Sequence, residues 1–436
     1  MKKAACLRSV FSLILVICSE KFGWAHVNPG DTLTKDNVAQ AAELLTPSTL
    51  WMVVRGMPMT IRETQKVVWP KAYKEATDKY YGQVKLSADG RALYNYVAGA
   101  PFPSIDLGDP FAGFKIMWNY EQNPYIIDNA GTTFINELVS SQGEVLATYA
   151  NLWRRMTWLG RLYLDPKPIV PHNPPLHHSN LLGPLSFPQL HKGTMLLSLS
   201  YLPPDMPDDT YTYVPQVRRV MRLGIANRGD SVWGTDFDVD SYWGFNAKLG
   251  YWTFRVLAEK EILAVVHSGK YGDRSVWCAP RDGKHGIAAA LPCVSWEKRR
   301  VWVVEGLPTG YPRPYSYSKR VLYIDQDFFA PLIQELYDQH GELWKSLLLC
   351  FFSAKWPYGG YPVWPLNGGK YNYEDEWPFI PNGLMVDLQQ TQATTFDAPG
   401  GMKSILEGKT EWYFNEDIPT NTPEVYSPNY LIQSGR

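Results

Sequence analysis

Three aspartates at alternate positions are the residues of this 436-residue chain whose spacing points most directly to chemistry. Asp236, Asp238 and Asp240 lie in the segment DFDVD, and alternating carboxylates are typical of calcium-binding loops. An EF-hand loop starting at Asp236 would need glycine at its sixth position and an acidic residue at its twelfth, where this chain has Ser241 and Ala247. On a strand, the same spacing places all three carboxylates on one face. We expect that face to be solvated.

A group of histidines is the second candidate for chemistry. His177 and His178 are adjacent, His172 and His191 lie nearby, and imidazole nitrogens are common zinc ligands. The surrounding segment is rich in proline, which favours a loop with solvent-exposed histidines. The sequence therefore predicts no metal site.

Catalytic motifs do not occur in the sequence. It contains no nucleophile elbow, phosphate-binding loop or zinc-protease helix, and no pair of its carboxylates stands out as general acid and base. We therefore expect a protein that is not an enzyme and that needs no cofactor. The basic residues Arg218, Arg219 and Arg222 could meet an anionic lipid headgroup or a partner, or could form salt bridges across a sheet.

The first 25 residues predict export. A basic start in residues 1–8 precedes a short apolar run at 11–17, and the segment 23–25 (GWA) has the small residues that a signal peptidase reads. We expect cleavage between Ala25 and His26, with release into the periplasm. Lipid attachment at Cys18 is disfavoured because the residue before it is not small.

Charge after cleavage argues against nucleic acid as a partner. Residues 1–25 hold four of the 42 basic and one of the 43 acidic residues, so the cleaved chain has a net charge of −4. Nucleic-acid binding needs a basic surface. An oxidising compartment also favours a disulfide between Cys278 and Cys293, whereas Cys350 in the run LLLCFF is expected to be a buried free thiol.

The pattern along the chain predicts a mainly β protein. Helices are expected at 34–45 and 73–81, and a short hairpin at 83–86 and 92–97 turns at Asp89-Gly90. Further strands are expected at 146–158, 194–202, 211–223, 252–257, 261–267, 299–305, 320–325, 333–337 and 343–352. Many of these strands are apolar on both faces, and no helical crossovers separate them. They predict one antiparallel meander that is strongly curved or nearly closed.

Several phrases of the sequence resemble a known family, the domain-of-unknown-function 1329 family, over nearly the whole mature chain. They are 56–57 (GM), 70–77 (PKAYKEAT), 96–103 (YVAGAPFP), 109–110 (DP), 115–119 (KIMWN), 214–220 (VPQVRRV), 234–237 (GTDF), 317–325 (YSKRVLYID), 430–431 (YL) and 435–436 (GR). The resemblance implies a fold like that of the lipoprotein carriers LolA and LolB: a half-open β-barrel with a helical plug. It also implies that the protein functions together with RND-type transporters and outer-membrane proteins. No catalytic residues are carried over.

These observations lead to one hypothesis and one alternative. We expect residues 26–436 to form a single domain, with long loops and an extension from about residue 356, that carries a lipid or other apolar molecule. The alternation of side chains along the predicted strands indicates which residues line the cavity. They are Leu197, Leu199, Tyr201, Trp302, Val304, Leu322 and Ile324. The alternative is a structural or interaction module of the cell envelope that binds no small molecule.

Overall fold

The structure is a computed structural model of the chain. It describes residues 27–435 except 124, 126–127, 172–174, 269–275, 312–314, 356–375, 398–411 and 415–420. The expected signal peptide, its cleavage between Ala25 and His26, and His172 lie outside the described residues.

One large open sheet dominates the fold. Its strands are β1 (Thr32–Leu33), β2 (Met59–Ile61), β5 (Asn129–Val139), β6 (Val145–Thr157), β7 (Leu176–Phe187), β8 (Met195–Tyr201), β9 (Asp209–Val214), β10 (Arg219–Arg222), β11 (Trp252–Ala264), β12 (Ser295–Pro308), β13 (Lys319–Asp325), β14 (Pro331–Tyr337), β15 (Leu343–Lys355), β16 (Glu376–Asp387), β17 (Gln392–Asp397) and β18 (Trp412–Phe414). A separate hairpin consists of β3 (Lys85–Leu86) and β4 (Leu93–Tyr94).

Two antiparallel meanders build the sheet. Strands β5 to β10 form one and β11 to β17 form the other, and each strand pairs with its neighbour in sequence. The meanders are joined where β17 pairs with β5, with Ala393 opposite Val139. The predicted antiparallel, mainly β architecture is therefore confirmed, although it consists of two meanders rather than one.

Contacts between the two ends of the sheet demonstrate its curvature. Strands β9 and β13 are nine strand spacings apart, which is about 43 Å in a flat sheet. Arg228 nevertheless donates to both Thr210 on β9 and Asp240, and Arg320 on β13 donates to the main-chain oxygen of Asp240. An arginine side chain reaches only a few ångströms, so the sheet must bend until its two ends face each other.

In the described part of the chain, four α-helices cover parts of the sheet: α1 (Pro47–Val54), α2 (Lys71–Tyr80), α3 (Ala112–Glu121) and α4 (Pro428–Ser434). The prediction of a helix at 73–81 is confirmed by α2, which begins after Pro70. The expected helix at 34–45 is a 3₁₀ helix at Val38–Leu44. Helices α1, α3 and α4 lie in segments where none was predicted.

Most predicted strands are confirmed. The expected strand at 211–223 is β9 and β10, separated by a turn in which Arg218 has φ 52°. The two expected at 252–257 and 261–267 are one strand, β11, with a bulge between Val256 and Ala258. Seven of the described strands were not predicted: β1, β2, β5, β7, β16, β17 and β18. Of these, β16 and β17 lie beyond residue 356 and occupy the centre of the sheet.

The two faces of the sheet have different covers. The inner face is the one that carries Leu322 and Trp153, and α3 packs on it where Phe114 meets Phe254 with ring centroids 5.4 Å apart. The outer face holds Glu335, which accepts a hydrogen bond from the Ser48 amide at the start of α1. The strands therefore bury side chains on both faces, as their composition predicts.

The cysteines are arranged as predicted. Cys278 and Cys293 form a disulfide, and Cys350 is a buried free thiol on β15. Burial raises the pKa of the Cys350 thiol above its usual value. Among the described residues, no helix combines the length and apolar character needed to cross a bilayer.

Replacing Cys278 and Cys293 together with alanine should lower the free energy of unfolding by about 3 kcal/mol, because the bridge closes a loop of 15 residues. Urea unfolding followed by tryptophan fluorescence measures the loss. Dithiothreitol should destabilise the wild type by the same amount and leave the double variant unaffected. A wild type that is indifferent to the reductant would contradict the expectation.

Candidate ligand-binding pocket

A long connection between β10 and β11 lies across the inner face of the sheet. This segment, residues 224–251, is called the inner loop below. It contains short 3₁₀ turns at Ile225–Gly229, Val239–Ser241 and Leu249–Tyr251, and it includes the DFDVD motif. The plug was predicted to be helical. On the inner face the structure has α3 together with this loop, whose helical parts are short 3₁₀ turns.

The Asp240 carboxylate is buried and fully engaged. Its Oδ1 accepts from Arg228 Nε at 2.6 Å, and its Oδ2 accepts from the hydroxyls of Tyr311 and Tyr315 at 2.8 and 2.7 Å. Burial, and then the charge of Asp240, raise the pKa of both tyrosines well above the usual value, so both remain hydrogen-bond donors. The guanidinium balances the buried negative charge.

The other two aspartates of the motif are buried as well. Asp238 accepts from Tyr317 and Ser241, each at 2.7 Å, and from Arg320 at 3.3 Å. Burial raises the pKa of Asp238, and the Arg320 charge opposes that shift. The expectation of a solvated carboxylate face was therefore wrong. Tyr317 and Arg320 come from a segment about 80 positions away in sequence, and local spacing cannot reveal them.

Asp236 fixes the start of the motif to the middle of the sheet. Its side chain accepts from Thr394 Oγ1 and Gln392 Nε2 on β17, both at 2.8 Å, and Lys345 on β15 donates to its main-chain oxygen at 2.9 Å. The three aspartates thereby anchor the inner loop at three places along the curved sheet.

An apolar pocket lies between the anchored loop and six adjacent strands, β15, β16, β17, β5, β6 and β7. Ten apolar side chains line it: Phe134, Trp153, Leu182, Phe237, Tyr242, Trp243, Leu347, Leu349, Ile380 and Phe396. Three polar side chains, Asn136, Asn151 and Ser241, complete the lining. The pocket therefore lies over the join between the two meanders.

The pocket is largely filled by its own aromatic side chains. Its free volume is about 50 Å³, whereas one buried water needs about 10–15 Å³. Trp243 contributes most directly, with its ring centroid 4.6 Å from that of Trp153 and 6.2 Å from that of Phe134. A molecule larger than a few waters can enter only if one of these rings moves.

Trp243 stands on an unusual backbone. Its φ is 58° and that of Gly244 is 104°, and the same pairing recurs at Trp233 and Gly234 with φ values of 53° and 76°. The left-handed region is unfavourable for a bulky side chain. The Tyr120 hydroxyl holds this position, because it donates to the main-chain oxygen of Phe245 and accepts from the Phe245 amide.

The structure divides the seven residues nominated from the sequence. On β12 and β13, Trp302, Val304, Leu322 and Ile324 do lie on the inner face, in the packed core near α3 rather than in the pocket. On β8 the inner face carries Leu196 and Ser198, so Leu197, Leu199 and Tyr201 lie on the outer face. A role for any of the seven in ligand binding stays a prediction.

Sequence reasoning missed all the pocket residues. Those on β6 and β15 lie in predicted strands, and the others come from the unpredicted strands β5, β7, β16 and β17 and from the inner loop. One signal was available: the repeated Trp-Gly pairs at 233–234 and 243–244 in a long connection. Residues held in sparsely populated backbone conformations cluster at functional sites, but their φ values cannot be read from the sequence.

The structure also places the histidines and the basic residues singled out in the sequence. His177 and His178 lie on β7 and are buried, so the expectation of a loop with exposed histidines was wrong for them. Arg222 forms a salt bridge with Asp209 on the neighbouring strand, one of the readings left open for the basic run.

Replacing Arg320 with methionine should cost about 3–5 kcal/mol of unfolding free energy, because it leaves Asp238 buried without its counter-charge. Adding Asp238→Leu should restore much of that loss. The pair Arg255–Glu305, whose arginine is 72% exposed, provides the control. Arg255→Met should change stability by less than about 1 kcal/mol, since Glu305 keeps Lys319 at 3.9 Å. Urea denaturation of the wild type, R320M, the R320M/D238L double variant and R255M measures these changes. Equal losses of stability in R320M and R255M would refute the prediction.

This chain is similar to several known proteins in sequence or in fold. An uncharacterized protein of Pseudomonas aeruginosa is 25% identical over 335 residues, which cover 74% of this chain and 69% of that protein. A solved domain from Vibrio parahaemolyticus, described as an outer membrane lipoprotein-sorting protein domain, has 16% identity and a TM-score of 0.45, covering 73% of this chain and 98% of that one.

Two further solved structures are similar in fold. A DUF1329 family protein from Desulfovibrio piger has 13% identity and a TM-score of 0.43, covering 70% of this chain and 92% of that one. A LolA superfamily protein from Nitrosomonas europaea has 12% identity and a TM-score of 0.38, covering 72% and 97%. The sequence profile of the family described as "Protein of unknown function (DUF1329)" matches residues 32–419, and this chain therefore belongs to the DUF1329 family.

Proposed function

We propose that this protein is a non-enzymatic carrier of the bacterial periplasm that holds an apolar group of a lipid-like molecule in the pocket beneath the inner loop. The observation that carries the proposal is the lining: ten apolar side chains and three polar ones converge on one side of the sheet. Apolar pockets with a few polar groups are typical of small-molecule sites.

Binding would draw on the hydrophobic effect. Each methylene group moved from water into such a lining contributes about 0.8 kcal/mol. Asn136, Asn151 and Ser241 could orient a polar end of the ligand, since each offers hydrogen-bonding groups at the pocket wall. The chemistry supports a ligand with an acyl or polycyclic body and a small polar group.

Entry would depend on the Trp243 side chain and not on opening of the whole loop. Tyr120 holds the backbone directly after Trp243, and Asp236, Asp238 and Asp240 hold the segment before it. The indole itself is partly exposed and packs on Trp153. Rotation of this ring would widen the pocket without breaking any of the buried ion pairs.

The RND-type transporter and outer-membrane protein implied by the family resemblance are part of this proposal as the source and destination of the ligand. A periplasmic address follows from the basic, apolar and small-residue pattern of residues 1–25.

A second candidate function is an interaction module, and one surface favours it. The hairpin tips between β7 and β8 and between β9 and β10 lie together, since Gln216 donates to the main-chain oxygen of Leu190. Phe187, Leu190 and Val217 are 45%, 72% and 56% exposed there. Apolar side chains grouped at one surface are typical of contact with a partner.

Replacing Trp243 with alanine should increase the affinity for an uncharged fluorescent probe, N-phenyl-1-naphthylamine, by about tenfold, the equivalent of about 1.4 kcal/mol. The physical reason is that the variant removes the ring that fills the pocket. Fluorescence titration of protein purified without detergent measures the dissociation constant, and mass spectrometry of the same preparation identifies any lipid that copurifies.

Trp233→Ala is the matched control, because Trp233 has the same backbone conformation in the same loop but stacks on Tyr149 outside the pocket. It should leave the affinity unchanged. Leu182→Trp, which fills the pocket instead, should weaken binding about tenfold. Equal affinities in all variants would reject the pocket as the site, and loss of pull-down partners only on Leu190→Asp would favour the interaction module.

A further inference from the structure

A second, polar cavity lies on the inner face near the end of α3, away from the apolar pocket. Its walls include Glu121 from α3, His177 and His178 from β7, and Asp208 and Lys248, and it encloses about 30 Å³. That volume holds one or two waters. The three residues Glu121, His177 and His178 are called the Glu-His-His cluster below.

The three side chains point one atom each at a common position. His177 Nδ1 lies 3.0 Å from Glu121 Oε1, His178 Nδ1 lies 3.5 Å from the same oxygen, and the two nitrogens are 3.2 Å apart. A metal ion with bonds of about 2.0–2.1 Å to tetrahedrally arranged ligands separates them by about 3.3–3.4 Å. The triangle therefore has the size of one face of a metal coordination polyhedron.

A β-bulge makes this triangle possible. Neighbouring residues of a regular strand point to opposite faces, which would separate His177 from His178. The register between β7 and β8 shifts between Leu176 and His178, since Leu176 pairs with Tyr201 while His178 pairs with Ser200. Bulges re-aim side chains in this way and are frequent beside functional sites.

Protons leave the cluster crowded. If both histidines carry hydrogen on Nδ1, both N–H groups must donate to the same Glu121 oxygen with the two nitrogens only 3.2 Å apart. If only one histidine carries it, the other nitrogen and the Glu121 oxygen are two acceptors within 3.5 Å. A cation bound to all three lone pairs removes the conflict.

The surroundings supply two further features of a cation site. Glu121 is the last residue of α3, and the carbonyl end of a helix favours positive charge. The Gln122 side-chain amide lies against His177 Nε2, with its nitrogen placed 2.7 Å from that atom. The flipped amide, which exchanges nitrogen and oxygen, would accept the Nε2 proton and leave Nδ1 free for a metal.

Arg155 and Lys248 interact electrostatically with Glu121 at longer range, without forming an ion pair with it. Lys248 pairs with Asp208 at 3.6 Å. Arg155 lies on the same face, on β6, and its Nε has no hydrogen-bond partner. Among the described residues, neither cation comes within ion-pair distance of Glu121, whose partners in the structure are His177 and His178.

We propose that Glu121, His177 and His178 bind one divalent transition-metal ion, with zinc as the best match to two imidazoles and one carboxylate, and with its fourth position facing the polar cavity. The site links the end of α3 to β7. It is independent of the apolar pocket, so the two proposals stand or fall separately.

The test uses untagged full-length protein that has been stripped with a chelator and dialysed against zinc. Elemental analysis should find one zinc per wild-type chain. His178→Ala and Glu121→Gln should each weaken zinc binding by about 100-fold, and Gln122→Ala by about tenfold, because it removes only the group that orients His177. His285→Ala is the control: this histidine lies on the surface, its side chain 45% exposed, and zinc binding should not change.

A second readout is independent of how well the variants fold. Cobalt added to the stripped wild type should give the intense visible absorption of a four-coordinate ion, and zinc should displace it. Zinc should also raise the melting temperature of the wild type and of H285A but not of H178A. A wild type that retains no zinc and gives no cobalt spectrum, or an E121Q variant that binds as the wild type does, would overturn the proposal.

Discussion

The Asp240 carboxylate is the point on which the rest of this structure depends. The carboxylate accepts a hydrogen bond from Arg228, which also donates to Thr210 on β9. The main-chain oxygen of the same residue accepts one from Arg320 on β13, a strand far from β9 in the sheet. A buried carboxylate without a counter-charge is strongly destabilising, so the geometry that brings these groups together is effectively obligatory. The curvature of the sheet and the position of the inner loop both follow from it.

Curvature in turn determines where each kind of chemistry can be placed. At the join of the two meanders the inner face is apolar, and the aromatic rings of Phe134 and Phe396 meet there with centroids 6.0 Å apart. Toward β7, β8 and β9 the same face becomes polar, with His178 and Ser198 pointing inward. One covering loop therefore closes an apolar pocket at one end and approaches a Glu-His-His cluster at the other.

Much of the architecture could be predicted from the sequence, because strand composition is a local property. Strands β12 to β15, the small hairpin and the disulfide were all found in this way. Strand β7 was missed since the prolines around it resemble a loop, and the outer position of Leu197 was missed because a shift of one residue exchanges the faces. The burial of Asp238 could not be predicted, because Arg320 and Tyr317 are about 80 positions away in sequence.

The pairing of β17 with β5 has a consequence for the order of assembly. The Thr395 hydroxyl donates to the main-chain oxygen of Glu137, 258 positions earlier, and the Tyr213 hydroxyl donates to Gly435, 222 positions later. Because the chain is synthesised from its N-terminus, the whole first meander, β5 to β10, exists long before β17 and α4 are made. Until then its strand edge on β5 and its outer face under α4 stay uncovered, and exposed strand edges and apolar faces favour aggregation.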